Sequence, residues 1–428
     1  MTRTIEQQTI RKISWRLLPL IIAIYFIAYI DRTNIAFAAT AMNRDLGFSA
    51  YIYGWGAGMF FIGYFFFEVP SNVILHRVGA RIWIARIMAT WGIVSALMVF
   101  VTGPVSFFII RFLLGVAEAG FFPGVLLYFT YWFPPGYRGR VVSALFLAVP
   151  GSNAVAAALS GALLQLDGLG GLAGWQWMFL LESLPAILLA PVVLAVLTDR
   201  PSVATWLAPE ERQWLEGQLQ AERRKVTEKG ELSLLQALTD RRVIGLSLIY
   251  FTTVTANYGI VFFLPLMVKA YGLSNVAAGL VTAIPYTVGA LGMLVWARSS
   301  DRHQERRWHY VIAMLLAATG MALAGSTAGL YGAMAAMCLA TIGMYGSRPS
   351  FWPLPSTFLS GTAAAGGIAL VNSIGNLGGF VGPYIVGWIR EATQSYSAAL
   401  YFLAGSALAS ALIAFVVVKP QPRPVLQR

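Results

Sequence analysis

Residues 16–41 read RLLPLIIAIYFIAYIDRTNIAFAATA, an apolar run that carries Asp31 and Arg32 just past its middle. As a helix rising 1.5 Å per residue, the run is long enough to cross the ~30 Å hydrocarbon core of a bilayer. A charge at the bilayer centre costs about 2.5–3.5 kcal/mol on insertion scales. An acid and a base set side by side there point to a polar cavity inside a membrane protein. Arg11, Lys12 and Arg16 in front, with Ala38 and Ala39 behind, imitate a secretory leader. The apolar stretch runs too far for one, to about Ala41, and reads as a first transmembrane helix.

The rest of the chain agrees. Its 428 residues are 58% hydrophobic and 11% charged, with a mean hydropathy of +0.68, whereas soluble domains carry about 25% charged residues. A net charge of +12 would suit a nucleic acid. The basic residues are instead scattered through short connections between apolar stretches, so the expected partner is the lipid bilayer and no nucleic acid. Cys338 is the only cysteine, and His76, His303 and His309 fall in polar connections. No metal, haem or iron–sulfur ligand set, no nucleophile constellation and no ATP-binding GxxxxGK[ST] loop is present, so neither an enzyme nor a cofactor is expected.

Apolar runs of bilayer length lie near 16–41, 51–75, 82–101, 105–132, 141–166 and 176–197, then near 242–269, 276–297, 308–326, 329–358, 364–389 and 396–418. The reading is an all-α membrane protein of twelve spans, with no barrel alternation. Of 30 Lys and Arg residues, 24 fall in the tails, the central loop and every second connection. Only Arg44, Lys269 and Arg390 lie on the opposite side, and Arg32, Arg111 and Arg348 lie within spans. The positive-inside rule then places both termini in the cytoplasm. Residues 1–197 form one six-helix bundle, 198–241 a cytoplasmic linker with a solvated helix opening at Ala208-Pro209-Glu210-Glu211, and 242–428 a second bundle with a short basic tail. Parallel repeats of this kind hold their substrate near the midplane between the halves.

Several stretches carry a resemblance. Tyr29-Ile30-Asp31-Arg32-Thr33-Asn34 closes span 1, Arg111-Phe112 … Gly115 … Glu118-Ala119-Gly120 lies in span 4, and Phe351-Trp352 … Pro355 ends span 10. Span 11 holds Gly366-Gly367 … Asn372-Ser373 … Gly375-Asn376 … Gly378-Gly379 … Gly382-Pro383. Over essentially its whole length the chain resembles the major facilitator superfamily, and within it the anion:cation symporter family of tartrate, galactonate and phthalate carriers. The connection after span 2, Leu75-His76-Arg77, lacks the acidic residue common in the superfamily, as is usual for this group. The resemblance implies two pseudo-symmetric six-helix bundles and proton-coupled uptake of a carboxylate by alternating access. It implies a monomer in a bacterial inner membrane, with protons as coupling ion.

It also implies roles. Arg32 and Arg111 would clamp a carboxylate in bidentate fashion, while Asp31 and Glu118 would take and release protons. Arg111 and Glu118 are seven apart, hence on one face of a continuous helix. The competing reading makes the four charges two fastening salt bridges between spans 1 and 4, but buried pairs seldom add net stability over apolar packing. Tyr64 and Tyr29 are candidate hydroxyl contacts, with Tyr25 one turn before Tyr29 on the same side. Asn372 and Asn376 are candidate amide contacts, and Trp352 a cavity wall. Arg348, in Gly346-Ser347-Arg348-Pro349-Ser350, is either a second anion contact suited to a dicarboxylate or a structural arginine. It would bond, in the second case, carbonyls that Pro349 frees by opening the helix. Glu68 and Glu182 read as structural. An anion exchanger without proton coupling is the alternative function. Two protonatable acids favour symport over exchange, which needs only the arginines; a channel or a non-transporting membrane sensor, which could use the same cavity, ranks lower.

Overall fold

The computed structural model describes residues 4–228, 239–303, 305–355 and 361–418. The basic tail, residues 229–238 of the linker and residues 356–358 of the tenth expected span lie outside the described residues. Among the described residues, twelve helical segments are long and apolar enough to cross a membrane, six before the linker and six after it. This is the all-helical, twelve-span architecture expected from hydropathy.

Before the linker come α1 (Ile5–Leu46), α2 (Ala50–Val78), α3 (Ala80–Ala96) and the split fourth span, α4 (Pro104–Glu118) and α5 (Phe121–Trp132). Then come α6 (Pro135–Leu163) and α7 (Gly174–Val196). The linker contributes α8 (Pro209–Glu228). After it follow α9 (Arg241–Lys269), α10 (Asn275–His303), α11 (Arg307–Ser326), α12 (Leu330–Phe351), α13 (Gly361–Thr393) and α14 (Tyr396–Val417). Prolines 19, 70, 150, 265, 285 and 383 sit inside these helices without ending them. A packed membrane bundle tolerates this because neighbouring helices re-satisfy the freed backbone groups.

Two features depart from the expected pattern. The fourth span is not one helix: it stops after Glu118, Ala119 turns extended, and Gly120 takes a left-handed φ of +82°. A side chain at Gly120 would be strained in φ and would also strike the Ser71 side chain of α2. Pro349, in contrast, does not open α12. The helix runs past it to Phe351, and Trp352 N–H still donates to the Arg348 carbonyl at 3.2 Å.

The halves meet along two seams, α2 on α13 and α6 on α10, with α1 also touching α9. Away from the linker end, the seams bring backbone against backbone at several glycines, with Trp55 of α2 set edge-on to Phe380 and Tyr384 of α13 beside them. A Cβ at Gly54 would strike the Pro383 carbonyl, one at Gly387 the Ala50 carbonyl, and one at Gly279 the Ala157 carbonyl. Small residues allow such approach, as in other membrane helix pairs. Toward the linker end the contacts are made by side chains, as described below.

The linker helix docks on the first half. Lys12 pairs with Glu211 at 2.9 Å, Arg138 grips Glu222 with two nitrogens at 2.6 and 2.8 Å, and Trp206 stacks on Trp132. Burial alone would push the Glu211 carboxyl up, but the Lys12 ammonium and the Ala208 N–H outweigh it and hold it below the usual glutamate value. A depressed carboxylate stabilises above its unfolded pKa, so this contact persists as pH falls through the ordinary glutamate range and is lost only below it.

Within the first half, α4 packs on α2 so closely that a Cβ at Gly115 would overlap the Phe60 carbonyl. Gly115→Val should therefore destabilise the protein by about 1–3 kcal/mol, the usual cost of overpacking. The measurement is thermal unfolding in detergent. Gly136→Val, where a Cβ meets nothing within 4 Å, is the control that should unfold like the parent.

Candidate functional site

Between the halves lies a cavity lined by residues of both. The first half contributes Tyr25, Tyr29, Arg32 and Tyr64 to its wall, with Phe122 and Phe146 below. The second contributes Tyr250, Asn257, Tyr258, Arg348, Asn372 and Asn376. The composition is amphipathic: aromatic faces, phenol hydroxyls, amides and two guanidinium groups.

Arg32, only 7% exposed, is the best-partnered cation in it. It forms an ion pair with Glu118 and donates to the Tyr258 hydroxyl of α9 at 3.2 Å. Its guanidinium lies 5.0 Å from the Tyr29 ring centre, 5.1 Å from Phe60 and 5.4 Å from Tyr64. Cation–π contact of this kind strengthens when desolvated. The break after Glu118 makes that residue the last of α4, set against α1 at the depth where Arg32 arrives.

Arg111 is elsewhere. The clamp of Arg32 and Arg111 expected from the sequence is not assembled. Arg111 is fully buried between α4 and α2, with Nε on the Gly56 carbonyl at 3.4 Å and Nη2 on the Ala57 carbonyl at 3.3 Å. It does not line the cavity. The seven-residue spacing does put Arg111 and Glu118 on one side of α4, but two turns apart, and the upper turn faces the α2 backbone.

Asp31 also points away from the cavity. Its Oδ1 accepts from Ser95 Oγ of α3 at 2.6 Å and from Asn34 Nδ2 at 3.3 Å, and its Oδ2 has no partner. Glu182 of α7 accepts from Ser160 of α6 at 2.7 Å with its other oxygen unpartnered. The expected Asp31–Arg111 fastening pair is not formed, whereas Arg32–Glu118 is.

In the second half, Arg348 is half-buried among Tyr29, Tyr250, Tyr258 and Tyr345, with its charge 5.4 Å from the Tyr345 ring centre. No carboxylate pairs with it among the described residues. Trp352, expected as a cavity wall, does not itself line the cavity. It packs behind three residues that do, stacked on Phe146 at 5.9 Å and edge-on to Phe122 and Tyr250, and so joins the two halves at the linker end. Glu68 of α2 accepts from Asn372 Nδ2 at 2.5 Å and Ser373 Oγ at 3.1 Å, both on α13. Side-chain bridges on one side and glycine seams on the other thus bound the cavity at both ends.

Sequence reasoning missed Asn257, Tyr258 and Tyr250. The first two had a signal, Thr255-Ala256-Asn257-Tyr258, a polar cluster inside an apolar run. Tyr250 had none, being one aromatic among many.

The sequence profile of the Major Facilitator Superfamily matches residues 21–383 and 246–428. The chain is 50% identical over 430 residues to a protein of Agrobacterium vitis named "Putative tartrate transporter", covering 100% of this chain and 95% of that one. It is 41% identical over 413 residues to a "Quinolone resistance transporter" of Acinetobacter baumannii, covering 96% and 95%. A crystal structure of a D-xylose–proton symporter superposes with a TM-score of 0.73 at 19% identity, covering 95% of this chain and 98% of that one. At that identity the likeness is one of fold.

Arg111 holds two helices together, so its removal should cost stability before it costs ligand binding. Arg111→Met is expected to unfold earlier in detergent, by about 1–3 kcal/mol for the lost charged hydrogen bonds. The folded fraction should keep its ligand affinity by calorimetry. Loss of binding with unchanged unfolding would place Arg111 back in the site.

Proposed function

The chain belongs to the Major Facilitator Superfamily, and on that footing we propose that it carries a hydroxydicarboxylate such as tartrate into the cell together with protons, by alternating access. It is an integral, multi-pass membrane protein and a transporter. The proposal concerns its cargo, its coupling and its setting. The linker end is taken as cytoplasmic, from the 24-to-3 bias of basic residues. The membrane is taken as a bacterial inner membrane, and the working unit as a monomer.

One observation carries the reading. The cavity has an arginine on each wall, from opposite halves, and only one of them, Arg32, has a carboxylate partner among the described residues. An uncompensated guanidinium in an aromatic pocket is an anion site. A substrate with a carboxylate at each end can span Arg32 and Arg348, while Asn257, Asn372 and Asn376 meet hydroxyl groups between them. The name of the Agrobacterium vitis relative supports the same class of cargo.

Coupling follows from competition for one arginine. Glu118 and a substrate carboxylate both require Arg32. A proton on Glu118 releases Arg32 to the substrate, and loss of that proton returns the ion pair and expels the anion. Asp31 is the second proposed proton carrier, with Oδ2 free of partners one residue from Arg32. An exchanger needs only the arginines, so the two acids favour symport.

Purified protein in liposomes should accumulate tartrate when the outside is acidified. Glu118→Gln should keep tartrate counterflow but lose accumulation driven by the pH gradient. Arg348→Ala should weaken tartrate binding by about 10–100-fold, the worth of one charge-assisted hydrogen bond. Parent accumulation that ignores the pH gradient would replace symport with exchange, and unchanged affinity in Arg348→Ala would remove the two-arginine site.

A further inference from the structure

Glu68 enters none of the roles above. It is 1% exposed, does not line the cavity, and forms no ion pair with a basic side chain among the described residues. Its two oxygens are both occupied from across the interface: Oε1 by Asn372 Nδ2 at 2.5 Å and Oε2 by Ser373 Oγ at 3.1 Å. Asn372, by contrast, does line the cavity, and it is 4% exposed.

Both oxygens of Glu68 act as acceptors here, Oε1 from Asn372 and Oε2 from Ser373. An acceptor at Oε1 dictates which way the Asn372 carboxamide turns, because the reverse orientation would press the amide oxygen against it. With one N–H of its nitrogen held by Glu68, the Asn372 oxygen is turned away from the carboxylate and offered to whatever occupies the cavity. A carbonyl oxygen there welcomes a hydroxyl donor and repels a carboxylate. We propose that Glu68 is a positioning residue for substrate choice, turning the Asn372 oxygen toward the cavity so that a hydroxylated dicarboxylate is preferred to its deoxy analogue. The proposal rests on the dicarboxylate reading given above.

The location adds a second element. Glu68 belongs to α2 and Asn372 to α13, on opposite halves. The amide is oriented only while the halves touch on the linker side of the cavity. Hydroxyl recognition is thus completed on closure, as in induced-fit selection. Ser373 shares the carboxylate and keeps it from rotating away. No other described carboxylate receives hydrogen bonds from the opposite half in this region.

The test is proteoliposome uptake of tartrate and of succinate, which lacks both hydroxyls, by the parent, Glu68→Gln and Asn372→Ala. The parent should favour tartrate. In Glu68→Gln the glutamine amide can face either end of Asn372, so the tartrate-to-succinate ratio of kcat/KM should fall by about tenfold, one neutral hydrogen bond. Asn372→Ala should lose the same preference with Glu68 intact, which keeps the question open to refutation should Glu68→Gln fold poorly. A merely structural Glu68 would lower both uptakes together and leave the ratio unchanged, overturning the proposal. A parent that carries both acids equally well would also overturn it, while leaving dicarboxylate transport standing. A parent that carries neither would overturn the dicarboxylate reading and this proposal with it.

Discussion

The structure depends on how Arg32 keeps its charge out of water. An ion of that size loses several kcal/mol on leaving water even after the protein relaxes around it. Three kinds of group offset the loss: the Glu118 carboxylate, the Tyr258 hydroxyl and the faces of three aromatic rings. Each demands something of the fold. The carboxylate requires α4 to end at Glu118, which in turn requires Gly120 and its left-handed turn against Ser71. The hydroxyl requires α9 of the second half to lie against α1. The rings require the aromatic side of α2. The local chain break, one contact between the halves and part of the cavity lining thus meet at one guanidinium.

The other two arginines within spans show why burial alone does not define a site. Arg111 rests on backbone carbonyls of α2, partners that are fixed parts of a helix and that no solute can displace. Arg348 rests among tyrosines, which screen it without neutralising it. Arg32 rests on a carboxylate side chain, Glu118. One charge is held by main chain, one lies among phenols, and one is paired with an acid.

Much of this was legible from residues alone, and the parts that were not share a cause. The spans followed from hydropathy because each must cover the same thickness of hydrocarbon. The Arg32–Glu118 pair was present only within the competing salt-bridge reading, whose other pair, Asp31–Arg111, does not form. The break at Ala119–Gly120 was hidden because the residues on both sides are equally apolar, and Pro349 misled because a neighbouring proline predicts a break that the last turn of α12 absorbs. Arg111 was placed in the cavity by the family resemblance, and its spacing from Glu118 added only that the two share a face of the helix. Spacing reports which side of a helix a residue occupies, but not what that side meets at each turn. Glu68 was read as structural from its place near a helix end; its partners lie about 300 positions away in the chain, at a distance set by the docking of the halves. Contacts within a half leave a periodic trace, and contacts between halves leave none.

The seams away from the linker end are built from glycine Cα atoms lying against main-chain carbonyls. Main chain held against main chain loses little side-chain entropy on closing. Beside these glycines, however, Trp55 lies edge-on to Phe380 and Tyr384, and the Tyr51 N–H donates to Glu391 at 3.0 Å, so this seam also holds side chains that must be re-aimed before it parts. The Trp352 stack and the Glu68 bridge make the same demand at the linker end. Each end of the cavity is thus fastened by aromatic rings and by one carboxylate that accepts from across the interface, Glu391 at one end and Glu68 at the other.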